Sequence, residues 1–254
     1  MNLKNWTFEP IAIVQSPYHE KFGIPRQPGL AANARGILKF QNTEELRMAL
    51  RDLEGFSHVW VIFVFHAAFE DGQKWKPRVR PPRLGGKQKV GVLSSRSPHR
   101  PNPIGLSVLK IEEIRVTAKG GPEIEVSGVD LLDGTPVLDI KPYLAYCDSV
   151  PEASEGWAAT PIERFEVVLE EGPQKMLSEL EASEPVRFKD YTRMVTQTLE
   201  IDPRPAFQKR RLPVGTPEAE EGRFGFDLLG YDIHWRIKGR QFIVTHVVPL
   251  SGGK

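Results

Sequence analysis

Arg26, Gln27, Arg80, Arg83, Arg96, Arg100 and Asn102 are the side chains best suited to hold an anion or read a base edge, and each lies beside proline or within two residues of one. A guanidinium forks a carboxylate or phosphate, and a carboxamide offers both a donor and an acceptor. Pro25-Arg26-Gln27-Pro28-Gly29 is a stiff turn presenting one of each. Two further motifs, Arg80-Pro81-Pro82-Arg83-Leu84-Gly85-Gly86 and Arg96-Ser97-Pro98-His99-Arg100-Pro101-Asn102-Pro103-Ile104-Gly105, share a peculiarity of charge. Both fall within residues 72–111, a stretch of forty with no Asp or Glu and with ten Lys or Arg. Charge segregated in this way gives one face a positive potential, and a phosphate backbone is the commonest partner for such a face. Pro98, Pro101 and Pro103 fix φ and hold Asn102 at the centre of an irregular loop. A loop so constrained presents backbone groups to a ligand, although a surface turn or structural kink would use the same residues.

Two other places could carry chemistry. His66 closes the apolar run 59–65, so it belongs at the rim of a core, where it is either a satisfied histidine or a proton acceptor. Residues 130–143 read D-L-L-D-G-T-P-V-L-D-I-K-P-Y, a strand entered through a D-G turn. Asp133 there could hold ribose hydroxyls or a ligand ammonium, while Asp139 and Lys141 could pair with each other. Several chemistries find no support. No G-x-G-x-x-G follows a strand, no G-x-x-x-x-G-K-[ST] occurs, and no G-x-S-x-G elbow appears. The six histidines show no H-x-x-x-H, so no metal is expected. Cys147, the single cysteine, allows no intramolecular disulfide and suits a reducing compartment.

The elements that must position these residues divide in two. Short strands bounded by Pro, Gly and Asn are expected at 8–15, 36–40, 57–66, 89–94, 105–116, 123–131 and 137–140. A helix is capped by Asn42, with Glu45 three residues on, carries Leu46, Ala49, Leu50 and Leu53 on one face and stops at Gly55. Many strands and few helices predict a mainly β fold, a barrel or sandwich, over residues 1–147. Residues 148–161 read as a linker, and 162–254 as a smaller α+β domain. In that domain helices are expected at 173–182 and 186–200, strands at 206–211, 222–231, 233–237 and 241–248, and a mobile loop at 213–221. Forty per cent hydrophobic residues and a formal net charge of +1 are ordinary globular values. With no apolar segment at residues 1–9 and no apolar run long enough to span a bilayer, a soluble cytoplasmic protein is expected.

Six segments together resemble one family: 16–30 (SPYHEKFGIPRQPGL), 55–60 with its F-V-F-H end, 79–86, 96–105, 130–143 and 202–207 (DPRPAF). The chain is similar to the tRNA adenine-37 N6-methyltransferases that act on N6-threonylcarbamoyladenosine, from about Thr7 to Pro249. The resemblance implies a single-sheeted β-barrel that binds S-adenosylmethionine without a Rossmann fold and works as a homodimer. It places the cofactor at Pro25, Arg26, Gln27, His66, Ala67, Arg96, Leu106, Asp133, Gly134 and Thr135. For the tRNA anticodon loop the expected contacts are Arg80, Arg83, Arg100, Asn102 and Lys141, joined by Arg204 of D-P-R-P in the C-terminal domain. Arg83 and Arg100 are the candidates to fork the threonine carboxylate. Phe207 stands where a tyrosine is expected in many relatives, which removes one hydroxyl from that motif.

The implied reaction moves an already activated methyl group to N6, so positioning is the main demand and no metal is needed. The N6 proton must leave, and His66 or a water is the expected acceptor. Two rivals fit the same residues: a non-catalytic RNA-binding module, and a methyltransferase of this architecture with another acceptor. A purely structural interaction protein would leave the rigid Arg/Pro loops unexplained.

Overall fold

The structure is a computed structural model that describes residues 5–68, 74–116 and 120–250. Residues 1–4, part of the N-terminal segment lacking an apolar run, and Gly72 and Gln73 at the head of the acid-free stretch lie outside it. The N-terminal part runs β1 (Ala12–Gln15), β2 (Arg35–Phe40), α1 (Glu44–Ala49), β3 (His58–Val64), β4 (Arg78–Val79), β5 (Val90–Gly91), β6 (Ile104–Arg115), β7 (Glu123–Ser127) and β8 (Pro136–Pro142). Six of these strands close a barrel in the order β1-β2-β7-β6-β3-β8, while β4 and β5 form a separate two-stranded ladder. This is the expected mainly β, single-sheeted barrel.

β3 shows how the sequence builds it. Val59, Val61 and Phe63 point inward and are buried, whereas Trp60, Ile62 and Val64 alternate outward. The run looked continuous because its outward residues are apolar too. Inside, Val14, Leu38, Val59, Val61, Leu109, Ile124, Val126 and Val137 meet in one core, each such side chain stabilising by about 1.5–3 kcal/mol. Leu50 and Leu53, beyond α1, close it. The helix is capped by Thr43 and not Asn42. It begins at Glu44, so Thr43 has the extended conformation a cap needs, and its Oγ1 accepts from the Leu46 N–H at 3.3 Å. Asn42 instead accepts from Arg47. The helix is also shorter than expected: Asp52, at φ 67°, separates it from a 3₁₀ turn at Leu53–Gly55.

The C-terminal part runs α2 (Ala145–Asp148), β9 (Glu166–Leu169), α3 (Glu171–Ser183), α4 (Tyr191–Glu200), α5 (Ala206–Arg211), α6 (Pro217–Glu221), β10 (Phe224–Leu228), β11 (Tyr231–Lys238) and β12 (Gln241–Pro249). Its sheet has the order β10-β11-β12-β9, with β9 parallel to β12. Several elements differ from the sequence reading. The strand expected at 206–211 is α5: Pro205 sets its start, and Lys209, Arg210 and Arg211 fill its last turn, where cations suit the helix dipole. The loop at 213–221 contains α6, capped by Thr216 with Pro217 following. The strand at 89–94 shrinks to β5 before a 3₁₀ turn. The strand at 222–231 is interrupted at Leu229 and Gly230, both at positive φ, which turn β10 into β11. β9 had no counterpart in the sequence reading.

The two cores do not divide at one point of the chain. Tyr18, Ala31 and Ala34, in the β1–β2 connection, pack with Phe188, Tyr191, Phe226, Trp235 and Phe242 of the C-terminal core. Gly23, at φ 84°, lies against the Phe226 ring, where a Cβ would come to 3.0 Å. The Leu229 N–H donates to the Pro17 carbonyl at 3.1 Å. Arg35, at the base of the same connection, donates to Asp190 at 3.1 Å and Glu125 at 3.0 Å. Among the described residues no helix is long and apolar enough to cross a membrane.

Candidate functional site

Strand direction decides which connections meet. Gln15 faces Ile37, Arg35 faces Ser127, Val64 faces Ile104 and Ile13 faces Pro136. The ends of β1, β3 and β7 and the starts of β2, β6 and β8 therefore share one rim. The connections 16–34, 65–103 and 128–135 all leave from it. Each proposed cofactor residue lies on one of these three segments except Leu106. That side chain stands on the outer face of β6, opposite Ile62 and 51% exposed.

Hydrogen bonds lace the three connections together. Gln27 Oε1 accepts from Arg96, so the first connection is tied to the second. Lys21 Nζ donates to the Ala67 carbonyl at 2.8 Å, and the Phe65 N–H to the Pro103 carbonyl at 2.8 Å. His66 opens a 3₁₀ turn with Ala67 and is partly buried. Asp133 ties the third connection to the first: its Oδ1 accepts from the Ser16 N–H at 2.8 Å, and its own N–H donates to the Tyr18 carbonyl at 2.8 Å. Gly134 has φ 73°, and Thr135 is buried with its hydroxyl on the Leu132 carbonyl at 2.6 Å. Pro25 is buried while Arg26 is exposed.

The expected tRNA-binding residues separate into those that reach this rim's surroundings and those that do not. Arg80, Arg83 and Asn102 are exposed on the long second connection, and Arg100 is partly buried. Arg83 donates to the Thr160 carbonyl, and Arg210 of α5 donates to the Gly85 carbonyl at 2.7 Å. The cations of α5 therefore adjoin the R-P-P-R-L-G-G turn, an extension that reading 206–211 as a strand concealed. Lys141 lies near the far end of β8, about 16 Å along the strand from Pro136. It pairs with Asp139 at 2.8 Å. Arg204 corrects the sequence reading outright. It is 2% exposed, its Nε and NH2 engage Asp202 at 2.8 Å each, and its guanidinium lies over the Phe224 ring. A side chain so enclosed has no surface to offer RNA.

Asp130 and Ser107 had no assigned role in the sequence reading. Ser107, inward on β6, donates to Asp130 Oδ1 at 2.7 Å. Burial pushes the Asp130 carboxyl up to about 6, against the opposing effects of the Ser107 hydrogen bond and Arg96. Periodicity marks Ser107 as inward, but nothing in the sequence signals the burial of Asp130.

Comparison with known proteins assigns this frame. The tRNA-methyltransferase O N-terminal domain model matches residues 13–149, and the TrmO C-terminal domain model matches residues 163–250. The chain belongs to this family. It is 39% identical over 249 residues to the tRNA (adenine(37)-N6)-methyltransferase of Escherichia coli strain K12, covering 97% of this chain and 100% of that one. It is 41% identical over 246 residues to a putative S-adenosylmethionine-dependent methyltransferase, RcsF, of Pseudomonas aeruginosa, covering 96% and 97%. The crystal structure of TrmO from Pseudomonas aeruginosa superimposes with a TM-score of 0.77 at 33% identity, covering 97% of this chain and all of that one.

The donor set suits S-adenosylmethionine. A carboxamide at Gln27, a carboxylate at Asp133 and guanidinium groups at Arg26 and Arg96 match ribose hydroxyls, an ammonium and a carboxylate. Among the described residues no group of His, Cys, Asp or Glu could hold a metal ion.

Proposed function

We propose that the chain transfers a methyl group from S-adenosylmethionine to N6 of adenine 37 in tRNA, and that the adenine it accepts already carries the threonylcarbamoyl group. The observation that carries this reading is the joining of three connections on one barrel rim, with Gln27 and Arg96 in contact at its centre. The methyl arrives activated on a sulfonium. The protein's task is to hold N6 in line with it and to exclude water.

Pro25, Arg26, Gln27, His66, Ala67, Arg96, Leu106, Asp133, Gly134 and Thr135 would hold the cofactor. Arg80, Arg83, Arg100 and Asn102, together with Arg210 and Arg211 of α5, would grip the anticodon loop, whose phosphates suit a basic surface and whose splayed bases suit rigid loops. We assign residues 1–147 to cofactor binding and catalysis, 148–161 to a linker and 162–254 to a unit that supports the tRNA. Ile104, apolar, outward and 38% exposed, suits burial by a second copy in a homodimer. A cytoplasmic setting follows from the substrate.

The test is incubation with S-adenosylmethionine and tRNA bearing threonylcarbamoyladenosine, followed by mass spectrometry of the digested nucleosides. The expected result is a methyl-mass gain on that nucleoside and none on unmodified tRNA. Cofactor binding with no such gain would redirect the reading to another acceptor, and tRNA binding without cofactor affinity would leave a binding module.

A further inference from the structure

N6 of a threonylcarbamoylated adenine is flanked by the purine ring and a carbamoyl carbonyl, both of which withdraw its lone pair. Such a nitrogen attacks carbon well only as its proton leaves, so a base must stand at the site. This inference rests on the acceptor proposed above.

The described groups around the rim differ in what they have left to give. Asp133 accepts from the Ser16 N–H through Oδ1 at 2.8 Å and is assigned above to the cofactor. Among the described residues the His66 ring has no hydrogen bond or ion pair to orient it. His99 is held down in pKa by burial and by Lys76 and Lys21. Asp130 is the carboxylate that combines orientation with an oxygen that Ser107 does not occupy. Its Oδ1 is fixed by Ser107 at 2.7 Å, the Asp130 backbone N–H also donates to the carboxylate, and among the described residues no second side chain donates to it. It is partly and not wholly enclosed. The charged and titratable groups facing it are Arg96, from the connection that also touches Gln27, and Tyr18, from the first connection.

We propose that Asp130 is the catalytic base: its Oδ2 takes the N6 proton while Ser107 holds Oδ1 in place. The N–H bond breaks and its electron pair stays on N6. That nitrogen forms the new bond to the methyl carbon as the S–C bond breaks, its electrons returning to sulfur. The products are an N6-methylated nucleoside, a neutral thioether and a protonated Asp130, so charge and atoms balance. The raised pKa supports the assignment, because a carboxylate titrating near neutrality is a stronger base than an exposed one and is still ionised at pH 7.

The experiment is single-turnover methylation of threonylcarbamoylated tRNA against pH for wild type, Asp130→Asn and Ser107→Ala. Calorimetry of S-adenosylmethionine binding and carbon-13 titration of the Asp130 carboxyl in ligand-free protein accompany it. The expected wild-type rate climbs with pH to a plateau, and the carboxyl carbon of the ligand-free protein titrates near pH 6. Asp130→Asn loses at least about 100-fold in rate with cofactor affinity retained. Ser107→Ala, which removes a hydrogen bond to the charged form, moves the rising limb to higher pH. An active wild type whose Asp130→Asn variant keeps both rate and limb overturns the inference alone, as does a carboxyl midpoint near pH 4. A wild type that binds cofactor but leaves this nucleoside unmethylated overturns the acceptor and the inference together.

Discussion

Asp202 receives Nε and NH2 of Arg204 through both its oxygens, each at 2.8 Å, in a pair almost wholly closed to solvent. Lys209 approaches the same carboxylate at 3.6 Å, and Asp202 also lies within electrostatic reach of Arg26. The D-P-R-P motif is therefore a buried clamp behind the basic surface. Arg204→Ala would leave the Asp202 charge with Lys209 alone and cost about 3 kcal/mol, the lower end for a broken buried pair, read as a shift of the urea midpoint. A variant as stable as wild type but weaker for tRNA would return Arg204 to the RNA surface.

Asp130 should weaken the fold at neutral pH. Its folded pKa, about 6, lies above the unfolded value of 3.8, so the native state holds more protons between the two. Stability then falls as pH rises through that window, and the loss is absent below about pH 4. Asp130→Asn keeps an acceptor for Ser107 and removes the buried charge. It should gain about 1–3 kcal/mol at pH 7, after allowance for partial exposure, and little at pH 4. Urea unfolding at the two pH values decides this. A gain in stability together with slower turnover would mark a residue kept for its chemistry.

The basic surface should reveal itself through salt. Every phosphate left without its cation lowers the slope of log affinity against log salt by about 0.7–0.9. The double change Arg80→Ala/Arg83→Ala should therefore flatten it by about 1.4–1.8. Lys141→Ala, distant along β8 and paired with Asp139, should leave it unaltered. Filter binding across a salt series measures both, and an unmoved slope in the double variant would take this segment out of the tRNA interface.

Gly105 closes the R-S-P-H-R-P-N-P-I-G motif because the Phe63 ring occupies the place of its Cβ. Gly105→Ala should cost about 1–3 kcal/mol by overpacking. Phe63→Leu in the same chain should recover part of that cost, since the two side chains compete for one space. Thermal unfolding of the single and double variants gives the coupling. Additive losses would show that Phe63 is not what the glycine accommodates.

What could be read without coordinates depended on how local its cause was. β3 was legible because its apolar run is longer than any turn could hold, and the P-R-Q and D-G-T turns because proline and glycine punctuate them. α5 was misread because six residues of AFQKRR carry no usable period. β9 escaped because its stability as an edge strand comes from β12, seventy-five residues away. Arg204 and Asp130 were hidden for a common reason. Arginine in a Pro-rich motif and aspartate at a strand end are surface residues by type, and only tertiary packing against Phe224 or beside Ser107 encloses them.

Synthesis proceeds from β1 to β12, which sets an order for assembling the site. All six barrel strands exist once residue 142 has left the ribosome, and domains generally fold as units, N-terminal first. The connection carrying Pro25, Arg26 and Gln27 cannot settle then. Tyr18, Ala31 and Ala34 seat themselves among Phe226, Trp235 and Phe242, which belong to the last three strands. On that order the six barrel strands can pair before the 16–34 connection has its C-terminal packing partners. A chain ending before β10 would keep all six barrel strands and lose the residues on which Tyr18, Ala31 and Ala34 pack.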